Sequence, residues 1–141
     1  MNLPVLPRYK AVLTYGRFDL FDQDHVHFLR HLSGLGDELI VGCATDDHAR
    51  SLGTPCQMSY EARRAMLVHC RFVDRVIAET APAQKRTDIV NYNVSTLAMG
   101  TEWQGQLEHL RDVAQVLYLP RRAASAAAIS WMPDGQFAVG V

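Results

Sequence analysis

The stretch from residue 11 to residue 25 constrains the fold of this chain more than any other. An apolar run at 11–15 leads into Gly16, and a segment with helical periodicity begins at about Asp24. A strand that passes through a glycine turn into a helix presents the free backbone N–H groups of the helix start to an anion, often a phosphate. The sequence therefore predicts an α/β protein with a phosphate site at the end of its first strand.

Apolar runs alternate with helical segments along the rest of the chain. Strands are predicted at 9–15, 38–44, 75–78, 96–99 and 113–119. Helices are predicted at 24–33, 60–70, 84–92 and 105–111, with a short helix or turn at 45–50. The helix at 60–70 is expected to bury a stripe made of Ala62, Ala65, Met66 and His69. This order predicts a doubly wound, Rossmann-like, five-stranded parallel sheet without internal repeats.

Length and composition indicate a single globular domain. The chain has 141 residues, of which 48% are hydrophobic and 21% are charged. No apolar run approaches the roughly 20 residues that span a bilayer, so no membrane partner is predicted. The proline-rich first residues do not resemble a signal peptide, and a cytoplasmic location is expected. We expect an N-terminal extension at 1–8, the domain at 9–122 and an alanine-rich tail at 123–141.

Charge and cysteine content argue against several classes of partner. A formal net charge of -1 gives no electrostatic support for binding to nucleic acid. Cys43, Cys56 and Cys70 are widely spaced without a C-x-x-C pair, which favours reduced thiols over a disulfide or zinc framework. The histidines lack the spacing of a zinc protease motif, so no zinc site is predicted.

Polar residues follow several predicted strands, at the sheet edge where parallel sheets bind their ligands. These groups are the turn at 16–25, Thr45 with Asp46, residues 100–103 and Arg121 with Arg122, and Arg63 lies on the helix at 60–70. In a nucleotide pocket, Gly16 would permit a close backbone approach, His25 and the arginines would contact phosphates, and Trp103 would wall the ligand. The alternative is that Trp103 belongs to the core and that the arginines are solvated.

The same residues resemble the cytidylyltransferase family, whose motif after the first strand is G-x-F-D-x-x-H-x-G-H. Residues 16–19 match its first half, and His25 occupies its second histidine. The similarity spans residues 10–121 and is greatest to the bacterial members that use glycerol 3-phosphate. It continues in order through residues 36–39, 44–46, 59–63, 72–76, 99–105 and 116–121. The resemblance implies the nucleotidyltransferase type of this fold and a homodimer, with residues 71–75 as a candidate contact.

The resemblance also implies a function. A nucleotidyl group would pass from CTP to a small phosphorylated alcohol such as glycerol 3-phosphate, and pyrophosphate would leave. His25, Arg63 and Arg121 would be the catalytic, phosphate-contacting residues, and residues 100–103 would receive the base. Such chemistry needs positioning and positive charge more than covalent help. The implied nucleotide-binding residues are Tyr15, Gly16, Arg17, Phe18, Asp22, His25, Thr45, Asp46, Gly100, Glu102, Trp103 and Arg121.

Two aspartates depart from the family motif. Asp22 stands where the family has its first histidine, and Asp24 stands where it has a glycine. A carboxylate about 5 Å from a phosphate charge costs up to about 3 kcal/mol at an effective dielectric constant near 20. Either aspartate is also expected to cap the helix and occupy its anion site. Alternatively, the two carboxylates hold Mg²⁺, which would bridge them to the phosphates.

Other expected phosphate-binding groups are absent from the sequence. The hydroxyl side chains that the family has after its fifth strand are missing near residues 125–128, and the loop at 47–58 contains no lysine. Lys10 and Lys85 are the only lysines in the chain. Two functions therefore stay open. The chain is either a cytidylyltransferase-like enzyme or a catalytically impaired family member that acts as a ligand-binding or regulatory module.

Overall fold

A computed structural model describes residues 9–121, which form one five-stranded sheet. The strands are β1 (Ala11–Gly16), β2 (Glu38–Ala44), β3 (Arg75–Glu79), β4 (Val94–Gly100) and β5 (Gln115–Leu119). Every neighbouring pair is parallel, in the order β3-β2-β1-β4-β5. The predicted Rossmann-like parallel sheet is confirmed. The extension predicted at 1–8 and the tail predicted at 123–141 lie outside the described residues.

Helices connect these strands in the described part of the chain. They are α1 (Gln23–Ser33), α2 (Asp46–Ser51), α3 (Tyr60–Val68) and α4 (Gln84–Asn91). Thr45 and Ser59 begin α2 and α3, since each side chain accepts a hydrogen bond from the backbone N–H three residues on. None of the helices between residues 9 and 121 has the length and apolar character to cross a membrane.

The connection between β4 and β5 differs from the helix predicted at 105–111. It contains two short 3₁₀ helices, η1 (Thr101–Trp103) and η2 (Glu108–Leu110). Gly105 between them has a φ of +81°, a left-handed conformation that a right-handed α-helix cannot include. The prediction of a continuous helix was therefore wrong, although the compact turn still leads directly into β5.

The two faces of the sheet pack against separate apolar layers. On one face, Leu13 and Leu97 pack with Ile89 of α4. On the other face, Val12 packs with the buried side of α1, which includes Leu29. The side chains of β1 are almost fully buried on both faces, as expected for the central strand of a parallel sheet. Because β1 is held on both faces, the position of its carboxyl end is fixed.

The buried face of α3 differs from the predicted stripe by one position. Arg63 and Leu67, one helical turn apart, are each 0% exposed, whereas Met66 is 44% exposed. Ala65 and His69 also face solvent. The prediction was wrong because it assigned the apolar residues to the core and the charged residue to the surface. In the structure, α3 instead buries a guanidinium group that finds its polar partners inside.

Candidate functional site

A cavity of about 520 Å³ opens at the carboxyl edge of the sheet. The chain leaves β1 towards β2 on one side and later returns to β4 on the other, so the strand order reverses here. Ligands of open parallel sheets bind at such points, and the volume is that of a small-molecule site. The cavity meets the ends of all five strands, through Gly16, Ala44, Glu79, Met99 and, just after β5, Arg121.

The cavity gathers about half of the site residues expected from the sequence. The expected residues that line it are Tyr15, Gly16, Arg17, His25, Glu102, Trp103 and Arg121. The expected residues outside its wall are Phe18, Asp22, Thr45, Asp46, Arg63 and Gly100. Several residues of this second group contact or make room for residues of the first group. Asp22 contacts His25, Arg63 contacts Arg17, and Gly100 leaves space for Arg121.

Asp22 and His25 cap each other at the start of α1. The Asp22 carboxylate accepts a hydrogen bond from the backbone N–H of His25 at 3.1 Å. In return, the backbone N–H of Asp22 donates to Nδ1 of the His25 ring at 3.0 Å. This reciprocal arrangement is a capping box. The expectation that an aspartate of the motif caps the helix is confirmed for Asp22.

The capping box also fixes the proton of the His25 ring. Because Nδ1 accepts a hydrogen bond, the neutral ring carries its proton on Nε2. Burial lowers the pKa of His25 below its usual value, and the nearby Arg121 lowers it further, against the opposing effect of Asp22. The ring of Phe21 stacks on it with the centroids 5.3 Å apart. His25 thus lines the cavity as a neutral imidazole with an Nε2–H donor.

Arg121 joins the end of β5 to the end of β1. Its Nε donates to the Glu102 carboxylate at 2.6 Å, and its Nη2 donates to the carbonyl oxygen of Tyr15 at 2.9 Å. The guanidinium also lies over the ring of Phe28, 4.6 Å from the centroid. Gly100 makes this arrangement fit, since a Cβ there would overlap the Glu102 carboxylate and lie 2.5 Å from the Arg121 Nε.

Arg63 lies beneath the cavity, and its side chain is 0% exposed. Its Nη1 donates to the carbonyl oxygens of Arg17 at 2.8 Å and Ala44 at 2.7 Å. Its Nε donates to the carbonyl oxygen of Met58 at 3.0 Å, and its Nη2 pairs with the Asp46 carboxylate at 2.8 Å. Direct contact with a phosphate would require Arg63 to give up bonds of this set. Its geometry is that of a positioning residue, which ties three loops together under the site.

The loop between β1 and α1 has a strained backbone. Phe18 and Leu20 have φ values of 52° and 50°, in the left-handed region that costs a non-glycine residue about 1–2 kcal/mol. The Asp19 carboxylate holds this loop by accepting the backbone N–H groups of Gln57 and Met58 at 2.9 and 3.0 Å. The Phe18 ring anchors it in the core, 3% exposed. Strain of this kind concentrates at functional sites, where the surroundings enforce one conformation.

Tyr15 forms a flat wall of the cavity. Its ring lies across Gly42 of β2, where any Cβ would overlap the ring. Its hydroxyl donates to the Asp88 carboxylate of α4 at 2.7 Å. Burial and this hydrogen bond raise the pKa of Tyr15, so the hydroxyl stays protonated. Tyr15 therefore presents a neutral aromatic face to the ligand space.

Three titratable residues that the sequence interpretation did not assign to the site also line the cavity: His48, Glu79 and Lys85. The Lys85 ammonium is 3.5 Å from Oε2 of Glu79, and the same oxygen is 3.8 Å from Nε2 of His48. Each residue is between 5% and 7% exposed. Burial raises the pKa of Glu79, although the positive charge of Lys85 opposes the shift. The rarity of lysine in the chain was the one sequence signal that singled out Lys85.

Trp103 combines both roles that the sequence left open. It packs against the core layer that contains Leu97, and it also lines the cavity. The Lys85 ammonium lies 5.1 Å from the Trp103 ring centroid and 5.0 Å from that of Tyr15. Both distances are within the range of a cation–π contact. The aromatic residues thus enclose a lysine as well as the ligand space.

The charge of the cavity wall favours an anion. The wall has three basic side chains, Arg17, Lys85 and Arg121, and two carboxyl side chains, Glu79 and Glu102. Within residues 9–121, no group of three or more carboxylate, histidine or cysteine side chains is arranged to hold a metal ion. Asp22 also uses Oδ1 in the helix cap. The described residues therefore do not form a magnesium site from protein ligands alone.

Comparison with known proteins relates this site to a family. A family model described as cytidylyltransferase-like matches residues 13–130. Glycerol-3-phosphate cytidylyltransferase of Bacillus subtilis is 39% identical over 112 residues, which cover 79% of this chain and 87% of that protein. Ethanolamine-phosphate cytidylyltransferase of Arabidopsis thaliana is 33% identical over 98 residues, which cover 67% of this chain and 23% of that protein.

A solved structure shares the fold. The crystal structure of the lipopolysaccharide core biosynthesis protein from Thermoplasma volcanium superposes with a TM-score of 0.68. The match covers 82% of this chain and 98% of that chain, with 23% sequence identity. At this identity the likeness bears on the fold alone. It agrees with the parallel sheet.

Proposed function

We propose a function from one premise, that the chain belongs to the cytidylyltransferase-like family. The proposed reaction is transfer of the cytidylyl group of CTP to glycerol 3-phosphate or a closely similar phosphorylated alcohol, with release of pyrophosphate. The observation that carries it is the convergence of His25 and Arg121 on one cationic cavity at the switch point of the sheet. The sequence similarity to glycerol-3-phosphate cytidylyltransferase supports the choice of acceptor.

The triphosphate is proposed to lie against Gly16, His25 and Arg121. Within residues 9–121, Nε2 of His25 and Nη1 of Arg121 make no hydrogen bond to the protein, so both can donate to phosphoryl oxygens. Gly16 lines the cavity, and its missing side chain makes room for the Phe18 ring, which lies 2.9 Å from the position of a Cβ. The neighbouring Arg17 adds a second guanidinium at the rim of the cavity. These donors would stabilise negative charge on the phosphoryl oxygens of the transition state.

The base and the acceptor are proposed to lie in adjoining parts of the cavity, which meet where the Lys85 ammonium lies 5.1 Å from the Trp103 ring centroid. Glu102 and Trp103 line the side proposed for the cytosine base. Lys85 and His48 line the part of the cavity proposed for the acceptor. A phosphate oxygen of the acceptor attacks the α-phosphorus of CTP, the bond to the bridging oxygen of the β-phosphate breaks, and pyrophosphate leaves. The reaction requires no side-chain nucleophile.

Magnesium remains a proposal for this site. The described residues lack a complete ligand set, so the ion would arrive on the triphosphate, whose oxygens supply most of its ligands. Asp22 and Asp24 would then be the nearest carboxylates of the motif. Titrations of CTP with and without Mg²⁺ test this directly, because a bridging ion would turn repulsion between carboxylate and phosphate into attraction.

Two measurements test the proposed reaction. Calorimetry with CTP and ATP, with and without Mg²⁺, measures nucleotide binding, and release of pyrophosphate in the presence of glycerol 3-phosphate measures turnover. We expect CTP to bind and turnover to disappear in His25→Ala, while His109→Gln, at an exposed position outside the cavity, stays active. Absence of binding to any nucleotide would contradict the enzyme function. Binding of CTP without turnover would support the catalytically impaired module.

We also propose a homodimer through α3 and the segment that follows it. Met66 and Val68 are 44% and 48% exposed, and they lead into the candidate contact at residues 71–75. Asp74 in that segment is tied to β2 by its carboxylate, which accepts the N–H of Leu39 at 2.8 Å. Light scattering should give twice the monomer mass, and Met66→Glu should reduce it. Val90→Glu, at a 63% exposed position on α4, is the matched control.

A further inference from the structure

The aromatic walls of the cavity already hold a positive charge. The Lys85 ammonium lies 5.0 Å from the ring centroid of Tyr15 and 5.1 Å from that of Trp103. Glu79 completes the surroundings with a carboxylate oxygen 3.5 Å away. Two aromatic faces and a carboxylate are the groups that recognise an organic ammonium ion. In this protein the ammonium ion they surround belongs to the chain itself.

An acceptor with its own ammonium group would meet that charge. Lys85 is 5% exposed and starts from α4, so it has little freedom to leave the space between the rings. A second cation about 5 Å away would be disfavoured by about a hundredfold in affinity at an effective dielectric constant near 20. Glu79 carries at most one negative charge, which already lies 3.5 Å from the Lys85 ammonium, so it cannot offset a second cation.

An acceptor with hydroxyl groups would meet matching partners instead. A hydroxyl both donates and accepts, so it can bind the Lys85 ammonium and the Glu79 carboxylate together. A phosphate group on the same molecule adds attraction to the lysine. The same pair of residues therefore favours a neutral polyhydroxy phosphate and disfavours an amino-alcohol phosphate.

We propose that Lys85 is a specificity-determining residue, whose ammonium occupies the site between Tyr15 and Trp103 and so excludes amine-bearing phosphoalcohols in favour of hydroxyl-bearing ones. The inference rests on the proposed function for the presence of an acceptor at this end of the cavity. It goes beyond that function by assigning the choice between two classes of acceptor to one side chain.

The test compares acceptors in the full-length protein. Calorimetry measures binding of glycerol 3-phosphate, phosphoethanolamine and phosphocholine, both to the free protein and to the protein saturated with CTP. In the wild type we expect glycerol 3-phosphate to bind at least about a hundredfold more tightly than either amine. In Lys85→Met we expect this ratio to fall at least tenfold, with stronger binding of the amines in absolute terms.

Two further variants separate specificity from structure. Lys85→Arg keeps the charge and should keep the exclusion of amines. Arg86→Met, one residue along α4, removes an exposed cation that pairs with Asp112 and should leave the ratio unchanged. If Lys85→Met fails to fold because Glu79 loses its partner, Lys85→Met combined with Glu79→Gln replaces it. A residue with only a structural role would weaken all acceptors equally, and such an unchanged ratio would overturn the proposal.

The outcomes distinguish this inference from the proposed function. Failure of CTP to bind the wild type would count against the reaction, whatever the acceptors do. Wild-type protein that binds CTP but does not prefer glycerol 3-phosphate to phosphocholine would overturn the role of Lys85 alone. Absence of binding by all three acceptors to either form of the protein would overturn it as well.

Discussion

Asp22 and His25, three residues apart, each hold the other's backbone N–H at the start of α1. The arrangement has two opposite effects on a phosphate ligand. It puts a carboxylate of the protein at the helix end where an anion would otherwise bind. It also holds the His25 ring in one tautomer, with its Nε2–H available to a ligand. The Asp22 carboxylate therefore opposes CTP binding and the His25 ring favours it, and single substitutions can measure the two effects one at a time.

Removal of the Asp22 charge is expected to tighten CTP binding. Asp22→Asn keeps a good helix cap and removes only the charge. Because the Asp22 side chain is 61% exposed, screening limits the expected gain to about two- to fivefold. Asp22→His with Asp24→Gly, which restores the family motif, should give a larger gain. Calorimetry at low and high salt measures both variants.

The control for this prediction is Asp47→Asn, at a 92% exposed position in α2 outside the cavity. This change should leave CTP affinity unaltered. Weaker binding by Asp22→Asn in the presence of Mg²⁺, and not in its absence, would show instead that the carboxylate helps to hold the ion.

The lowered pKa of His25 predicts a pH dependence of stability. The unfolded chain takes up the proton near pH 6.5, whereas the folded chain takes it up at lower pH. The neutral ring therefore stabilises the fold fully above about pH 6.5, and this contribution is lost as pH falls towards the folded pKa. His25→Gln retains a capping-box residue but cannot titrate.

Urea unfolding at pH 7.5 and pH 5 measures this contribution. The wild type should lose more unfolding free energy than His25→Gln over this interval, while His109→Gln should behave as the wild type does. Equal losses in the wild type and His25→Gln would contradict the assigned burial of the imidazole.

Replacement of Arg63 is expected to destabilise the fold. Arg63→Met removes the buried guanidinium and leaves Asp46 and three carbonyl groups without their donors. Each buried carbonyl oxygen that is left without a hydrogen bond costs about 1–3 kcal/mol, whereas Asp46, which is 45% exposed, stays solvated. Arg64→Met, at the next and exposed position of α3, should change stability by about 0.5 kcal/mol or less. Urea unfolding of both variants decides the point, and equal stability would contradict a positioning role for Arg63.

A methyl group at Gly100 is expected to disturb nucleotide binding without unfolding the protein. The added Cβ would meet the flexible ends of Glu102 and Arg121, which can move aside. Since Arg121 would leave its position, we expect Gly100→Ala to lose about tenfold in CTP affinity, comparable to one charge-assisted hydrogen bond. Gly34→Ala, where the nearest atom to a Cβ is 3.4 Å away, is the matched control. Unchanged CTP affinity in Gly100→Ala would show that the Glu102–Arg121 pair does not contribute to nucleotide binding.

The sheet could be predicted because its signals are local. β2 has the predicted boundaries at Glu38 and Ala44, because a short, uninterrupted apolar run is typical of a strand that is buried on both faces of a parallel sheet. The cap at Asp22 is also a local pattern, and a cap by an aspartate of the motif was predicted correctly. The glycine turn was not, since Gly16 ends β1 and the left-handed residues of the loop are Phe18 and Leu20. Resemblance to a family then identified Arg121, which pairing between strands brings back to β1.

The missed features depend on contacts between distant residues. A buried Arg63 is not expected from helical periodicity, because its acceptors include Arg17, 46 positions away in sequence. Lys85 and Glu79 are six positions apart, but His48 meets Glu79 only because β2 and β3 are neighbours in the sheet. The identity of each residue was visible in the sequence. Their proximity follows from the order of the strands, which single-residue patterns do not encode.

The bond from Arg121 to the carbonyl oxygen of Tyr15 spans 106 positions of the chain. The cavity is therefore completed by Arg121, the last described residue, which follows all five strands in the chain. A nascent or truncated chain that ends before residue 121 lacks the group that closes the site against β1. Under the proposed function, a chain shortened before residue 121 is expected to bind CTP more weakly than the whole domain.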